Sequence, residues 1–365
     1  MVQSPHQKLK ILVLMKRFGA GKDMVMQDFG RQIRLFENIA KLGHQVDFFV
    51  PDYKKRERKD VLLHKMNFYI RPYSFLKHFT FMRELESLIE REKYDCIVGS
   101  SDPLLGILGQ KISRKFKIRY VYEMQDEYSS YASYKIPFVR MIDRKAVADS
   151  DIVITVSDSL RKLLKIFRKK PTFTIQNGID LKSFDISGKK NKKKLGLPDG
   201  KIISYVGEIS KFKGVDILME AFKEVRRIMP NSYLLLSGPV IDVDIRQEGI
   251  IYRKFPLRKE VIEGLQVSDV AVLPNIRNRF SEYCFPYKLS EYMAAGILIV
   301  ATKVGDVALI LSKFKDSLCE PGDKYDMAEK IIKALKSKGR RDYSKILKSL
   351  QWEALSSKLL AIIRK

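Results

Sequence analysis

Ile202-Ile203-Ser204-Tyr205-Val206-Gly207-Glu208-Ile209-Ser210-Lys211-Phe212-Lys213-Gly214 decides the architecture. Its first half is a run of β-formers suited to one buried strand, and its second half is a loop bounded by Gly207 and Gly214 that carries Lys213. Immediately after it, Val215, Leu218, Met219, Phe222 and Val225 recur at helical spacing. A strand, a short Gly-bounded loop with a lysine and a helix form the unit with which an open α/β sheet presents phosphate-binding groups at the carboxyl ends of its strands. In isolation Lys213 reads by default as a solvated lysine in a lysine-rich chain.

Downstream, the run from Phe285 through Pro286, Tyr287, Lys288, Leu289 and Ser290 to Glu291, closing at Gly296, has the chemistry to complete such a site. Pro286 suits a helix start, where its missing N–H costs nothing. The unpaired N–H groups of a first turn and the positive end of the helix dipole attract an anion. Lys288 supplies a point charge for phosphate, and Glu291, one turn on, accepts hydrogen bonds from hydroxyls. The alternative for this segment alone is an amphipathic helix with an ordinary Lys/Glu surface pair.

Outward from these segments, strand-like runs alternate with helix-like ones, which predicts parallel sheets with crossover helices. A chain of 365 residues exceeds one ordinary core and fits two domains. The polar run Ser187-Gly188-Lys189-Lys190-Asn191-Lys192-Lys193-Lys194 reads as an exposed connector and sets the boundary near residues 178 to 200. The expected division is 1–178, 179–343, and a terminal segment 344–365 that returns to the first domain.

Together these features resemble the glycosyltransferase family 4 (group 1) enzymes, retaining transferases that use nucleotide-sugar donors. The resemblance covers nearly the whole chain. Lys10 to Met15 looks like the family's first strand. It is followed by a loop with Gly19 and Gly21, and by a helix expected to carry Met26, Phe29, Ile33, Phe36 and Ala40 on one face. Gly43-His44-Gln45-Val46 is similar to the segment before strand two. Ala148 to Ser157 resembles the last strand of the first domain, Asn177-Gly178-Ile179-Asp180 the crossover, and Glu320-Pro321-Gly322-Asp323 the motif before the final helices.

The resemblance implies the α/β GT-B fold, two Rossmann-like, doubly wound parallel-sheet domains facing a central cleft. It also implies donor contacts at Gly19, Gly21, Gly207, Lys213, Phe285, Tyr287, Lys288, Leu289 and Glu291, with catalytic roles for Lys213, Glu291 and Asp126. Lys213 and Lys288 would stabilise the leaving diphosphate, Glu291 would hold the ribose, and no metal or other cofactor is expected to be required. Asp126, after the strand Arg119-Tyr120-Val121, would face the donor sugar and acceptor; its alternative is a plain loop or helix-cap carboxylate. Nucleobase contacts are expected from backbone around Arg253 to Pro256. Two positions depart from the family pattern. Glu208 stands where an arginine is usual, and Tyr283 stands where the first of two paired glutamates is usual, with Glu282 beside it.

The expected activity is sugar transfer to a lipid-linked glycan, glycolipid or polysaccharide acceptor. Glu208 and Tyr283 leave a second reading open, a catalytically weak GT-B scaffold in a glycan-assembly complex. Nothing favours a GT-B enzyme of another reaction type, such as an epimerase.

Composition narrows the setting. Cys96, Cys284 and Cys319 are isolated and odd in number, so neither a zinc spacing nor a disulfide framework is visible and a reducing cytoplasm is expected. No signal peptide and no run long enough to span a bilayer is evident. The net charge of +26 predicts an anionic partner. Between Arg161 and Lys194 there are twelve Lys/Arg and two acidic residues, around an apolar stripe of Leu160, Leu163, Leu164 and Phe167. That stripe reads either as the core face of a helix or as a docking face for anionic lipid on the inner face of the cell membrane. The segment from Arg71 to Arg83, where aromatics and cations interleave, is a second candidate. Specific nucleic-acid binding is not expected, because no zinc-finger spacing, RNP-like strand or basic zipper helix is present.

Overall fold

The computed structural model describes residues 7–19, 21–185, 192–337 and 339–365. The connector run from Ser187 to Asn191 lies outside them. The chain divides into two compact units, unit 1 from Met1–Gln176 with Trp352–Lys365 and unit 2 from Asn177–Gln351.

Unit 1 begins with β1 (Lys10–Leu14), a small hairpin of β2 (Phe18–Gly19) and β3 (Lys22–Asp23), and α1 (Arg31–Lys41). It continues with β4 (Gln45–Asp52), β5 (Lys59–Leu63), β6 (Met66–Pro72), α2 (His78–Glu92), β7 (Cys96–Ser100), α3 (Pro103–Phe116) and β8 (Arg119–Met124). Next come α4 (Val139–Asp149), β9 (Ile152–Thr155), α5 (Asp158–Leu164) and β10 (Thr172–Thr174). Eight strands form one sheet in the order β10-β9-β8-β7-β1-β4-β6-β5, parallel except for β5, which pairs antiparallel to β6. Central strands such as β1 and β7 are buried on both faces, which is why they read as continuous apolar runs.

Two expectations change here. The helix after β1 starts at Arg31, not at Met26: Gly30 sits at φ +119, and Met26 and Phe29 lie outside the helix and are exposed. Their spacing continues the helical period only by coincidence across the glycine. Ile152–Thr155 is not the last strand of the unit, because β10 follows and pairs with it.

Unit 2 contains β11 (Lys201–Val206), α6 (Val215–Ile228), β12 (Ser232–Ser237), β13 (Ile250–Tyr252), α7 (Arg258–Val267), β14 (Val270–Leu273), α8 (Arg279–Tyr283) and α9 (Tyr287–Ala294). It closes with β15 (Leu298–Thr302), α10 (Gly305–Leu311), β16 (Leu318–Cys319), α11 (Lys324–Lys336) and α12 (Ser344–Leu350). Its six parallel strands run β13-β12-β11-β14-β15-β16. The strand order reverses direction between β11 and β14, and such a switch point opens a crevice at the carboxyl ends of the strands.

The return to unit 1 comes later than residue 344. Leu347 and Leu350 of α12 are buried within unit 2, where α12 packs against α9 and Gln351 bridges to Ile179. Only α13 (Trp352–Arg364) belongs to unit 1, where it packs on α1 and adds Leu355, Leu359, Leu360, Ile362 and Ile363 to the core.

The basic stripe is partly core, with Leu163 and Phe167 only half-buried. Leu160 and Leu164 are buried, Arg161 pairs with Asp158, and Arg168 is buried against the carbonyls of Val147, Ala148 and Asp151. Among the described residues no helix is long and apolar enough to cross a membrane.

Candidate active site

In unit 2 the site grows from the end of β11. Tyr205 is fully buried, and its phenol donates a 2.7 Å hydrogen bond to the carbonyl of Glu208, bracing the loop that follows. The loop must cross close to other backbone. A Cβ on Gly238 would lie 2.0 Å from the carbonyl oxygen of Gly207, and Gly207 itself sits at φ +134. A Cβ on Gly207 would lie 2.4 Å from Lys288 Cε and 2.5 Å from Nζ, so the lysine runs directly over the glycine.

Lys288 belongs to the first turn of α9, whose N-cap is Pro286. Its Nζ donates to Tyr205 Oη at 2.7 Å and lies 4.1 Å from that ring's centroid. Burial, and then the neighbouring Lys213 ammonium, push the Lys288 ammonium down to about 7. Lys213 is thus close enough to disfavour charge on Lys288, while Glu291 and Glu208 favour it, and an anion arriving beside the two lysines is attracted by both. Lys213 lies over the Phe280 ring at 3.8 Å from its centroid, so its stem is braced against an aromatic face.

Glu291 follows one turn after Lys288. Burial raises its carboxyl above the usual range, opposed by Arg258, which pairs with it at 3.0 Å. Arg258 opens α7 and is more than half exposed, so this partner can be displaced.

The remaining predicted contacts separate by burial. Phe285 and Leu289 are 2% and 0% exposed, so both side chains belong to the core and only their backbone is left to face a ligand. The Phe285 carbonyl is held by Asn177 Nδ2 at 2.7 Å, which fixes the chain just before α9. Tyr287 is exposed at the helix start. Gly19, Gly21 and Asp126 lie in unit 1 and are described there.

Glu208, at the usual arginine position, turns its carboxylate to Ser210 Oγ at 2.8 Å. Its neighbour in the departure, Glu282, is more telling: carboxylate oxygen Oε2 is buried with no hydrogen-bond partner. Buried carboxylate oxygens are normally satisfied, so this one is open to a water or to a ligand hydroxyl.

In unit 1 the carboxyl ends of β1, β7 and β8 gather a polar cluster. Glu123 and Arg31 form an ion pair at 2.7 Å with each side chain 3% exposed, and Ser100 Oγ also donates to Glu123. Arg31 further donates to the Ile175 carbonyl at 2.9 Å. Gln32 bridges Ser100 at 3.0 Å and Gln125 at 2.5 Å. Next to Gln125, Asp126 accepts from Tyr131 Oη at 2.6 Å, and burial pushes its carboxyl up. Lys16 lies 5.2 Å from the Tyr131 ring centroid. Gly19 and Gly21 form the adjoining hairpin, in which Gly19 pairs with Lys22 and Gly21 takes φ +76. Arg31, Gln32 and Glu123 were not singled out in the sequence. A charged helix start and a glutamate within a buried strand were the available signals.

Two family descriptions match the chain in succession, Glycosyltransferase Family 4 over residues 33–183 and Glycosyl transferases group 1 over residues 200–337. The putative teichuronic acid biosynthesis glycosyltransferase TuaC of Bacillus subtilis is 26% identical over 194 residues, covering 52% of this chain and 48% of that protein. The match therefore spans about half of TuaC's length. The alpha-monoglucosyldiacylglycerol synthase of Acholeplasma laidlawii is 24% identical over 271 residues, covering 65% of this chain and 68% of that one. Among solved structures, HepE of Anabaena in complex with UDP superposes with a TM-score of 0.68 at 15% identity, covering 97% of this chain and 94% of that one. The fold is the GT-B fold of such enzymes. The chain belongs to the family 4, group 1 glycosyltransferases, and it is a glycosyltransferase enzyme.

Proposed function

We propose that this enzyme moves a sugar, with retention of anomeric configuration, from a nucleotide-sugar donor held by unit 2 to a lipid-linked glycan, glycolipid or polysaccharide acceptor engaged by unit 1. It acts at the cytoplasmic face of the membrane. The observation that carries this reading is the pair of cations at Gly207. Lys288 is buried over a glycine that leaves room for it, and Lys213 is held nearby on an aromatic face. A diphosphate in that place neutralises both ammonium groups.

The chemistry then follows from where charge develops. As the bond from the sugar's anomeric carbon to the diphosphate oxygen breaks, negative charge grows on the leaving group, and preorganised cations lower that barrier most. Lys213, Lys288 and the positive end of α9 do this without a required metal. Glu291 exchanges Arg258 for the ribose hydroxyls, and the unpartnered oxygen of Glu282 accepts a hydroxyl of the donor sugar. In unit 1, Asp126 with its phenol partner Tyr131 receives the acceptor hydroxyl. The UDP complex of HepE and the glycolipid synthase among the relatives support the donor and acceptor classes.

The test is release of UDP, GDP or ADP from a panel of nucleotide sugars, with and without polyprenyl-phosphate glycan and diacylglycerol-based acceptors. Acceptor-stimulated release from one donor, lost in Glu291→Ala, is expected. Silence with every donor, together with no nucleotide binding, would favour the scaffold reading that Glu208 and Tyr283 suggest.

A further inference from the structure

Unit 1 carries a surface that the transfer chemistry does not use. Parallel strands β4 and β6 both end at the same edge of the sheet, and their exits differ in character. After β4 the chain runs Tyr53-Lys54-Lys55-Arg56-Glu57-Arg58-Lys59, every residue exposed. Glu57, the acid in that run, is tied to the buried Arg17 at 2.7 Å, and Lys54, Lys55, Arg56 and Lys59 have no ion-pair partner among the described residues. After β6 a single helical turn places Phe75 and Leu76 at 92% and 93% exposure, and Phe79 at the start of α2 at 72%. Lys77 lies between them and Arg83 stacks over the Phe79 ring. Arg58 pairs with Glu84 of α2, so the basic loop and the apolar turn are neighbours.

Along the same face of α2 runs a cavity of about 710 Å³ lined by Arg58, Arg71, Arg83 and Arg91, with Asp60 and Glu84. Arg71 is committed to those two acids. Arg83 has no carboxylate within ion-pair distance among the described residues, which leaves it available for an anion beside the apolar turn.

We infer that the exits of β4 and β6 form a docking surface for an anionic phospholipid bilayer, Phe75, Leu76 and Phe79 entering the acyl boundary while Lys54, Lys55, Arg56 and Arg83 meet headgroup phosphates. Phe75 and Leu76 are almost wholly exposed, and apolar groups ringed by cations match a surface that is apolar within and anionic outside. A polyanion such as nucleic acid satisfies the lysines and gives the three apolar side chains nothing. Each cation brought to an anionic leaflet strengthens binding by about fivefold. The inference rests on the proposed action at a membrane face and assigns the surface responsible. It also corrects the placement within the Arg71 to Arg83 segment, since Arg71 and Phe81 are buried and only the stretch from Phe75 to Phe79, with Arg83, is presented.

Docking here would bring the carboxyl edge of the unit 1 sheet to the bilayer, the edge that also carries Asp126 and Tyr131. A lipid-anchored acceptor would then meet its hydroxyl-binding group without leaving the membrane.

The experiment is sedimentation of the full chain with phosphatidylcholine vesicles and with vesicles containing phosphatidylglycerol. The variants are Phe75→Ser with Leu76→Ser, Lys54→Gln with Lys55→Gln, and Ile228→Ser as a control at an exposed apolar side chain of unit 2. Retention on anionic vesicles only is expected, falling at least about tenfold in each double variant and unchanged in the control, with nucleotide binding intact throughout. Because the three native cysteines are buried, a fluorophore on Leu76→Cys labels selectively and should shift to the blue on anionic vesicles. If wild type binds but the double variants bind equally and the fluorophore does not shift, this surface is wrong and the membrane reading survives. If wild type binds no anionic vesicle, both fall while the transferase assay stands apart. Equal binding to neutral vesicles, or capture by nucleic acid alone, also overturns the inference.

Discussion

Lys288 Nζ donates to Tyr205 Oη at 2.7 Å while lying over the same ring, so the cation that is proposed to meet the donor is stored against a neutral phenol and not against a carboxylate. A carboxylate partner would hold the ammonium charged and would compete with phosphate. The phenol does neither.

This arrangement gives nucleotide binding a pH dependence. Without ligand Lys288 titrates at about 7, below its usual 10.5, and a bound diphosphate favours the ammonium. Below 7 the lysine is already charged and binding needs no proton. Above 7, binding must take one up, so affinity falls as pH rises, by at most about tenfold per unit. Isothermal titration with UDP or its congeners in buffers of different ionisation enthalpy should show proton uptake at pH 8 and none near pH 6. The same heat in all buffers at pH 8 would refute this.

Gly207→Ala should remove donor binding while the unit stays folded. The new Cβ collides with the Lys288 stem and occupies a φ of +134 that L residues rarely adopt. The backbone strain is on the order of 1–3 kcal/mol, visible as an earlier denaturant midpoint. The diagnostic result is a loss of nucleotide affinity far beyond what the small destabilisation explains.

Arg258→Ala tests the displaceable ion pair. Glu291 is already pushed up by burial, and Arg258 opposes that push. Without the guanidinium the carboxyl rises further, so the carboxylate form is lost at a higher pH as acid is added. The acid limb of the kcat/KM profile should therefore move to higher pH, with the plateau near neutrality largely kept. Glu291→Ala should instead lose affinity at every pH, by roughly 10- to 100-fold for a charged hydrogen-bonding group.

Glu123→Gln should be costly to the fold. Its partner Arg31 is buried, and removing one member of a buried pair typically costs about 3–5 kcal/mol. Urea unfolding of the variant should reveal this, and the double variant Arg31→Met with Glu123→Leu should recover part of the loss.

Transfer should persist after exhaustive treatment with EDTA, because Lys213 and Lys288 together supply the charge that a divalent cation otherwise gives a diphosphate. Activity restored only by added Mg²⁺ or Mn²⁺ would show that the two lysines are not sufficient.

The strand, loop and helix at 202–225 were legible because each has a local signal: β-formers, bounding glycines and helical period. Lys213, Lys288 and Glu291 drew notice for the same reason, and the fold sets Lys213 and Glu291 close enough to Lys288 to act on its charge. What stayed hidden depends on long-range approach. Arg258 meets Glu291 across 33 positions, and Tyr205 reads as one more β-former until its phenol is seen under Lys288. That the Phe285 and Leu289 side chains turn inward was not legible, because a helix start gives no letter that says which side chains face the core. Charge misled in a similar way: Arg71, Arg161 and Arg168 looked like docking cations and are structural pairs, whereas the exposed run from Lys54 to Lys59 drew no notice.

The late return of α13 to unit 1 sets an order of events during synthesis. Phe36 and Ile39 share a core with Leu359 and Ile363, yet more than three hundred residues separate them along the chain. Unit 2 is continuous and can complete its sheet while the nascent chain is still growing. Unit 1 must wait with an open apolar face until its last helix leaves the ribosome, which at about 5–20 residues per second is an interval of ten seconds or more. A chaperone that shields that face during the delay would be expected to govern how much active enzyme a cell obtains.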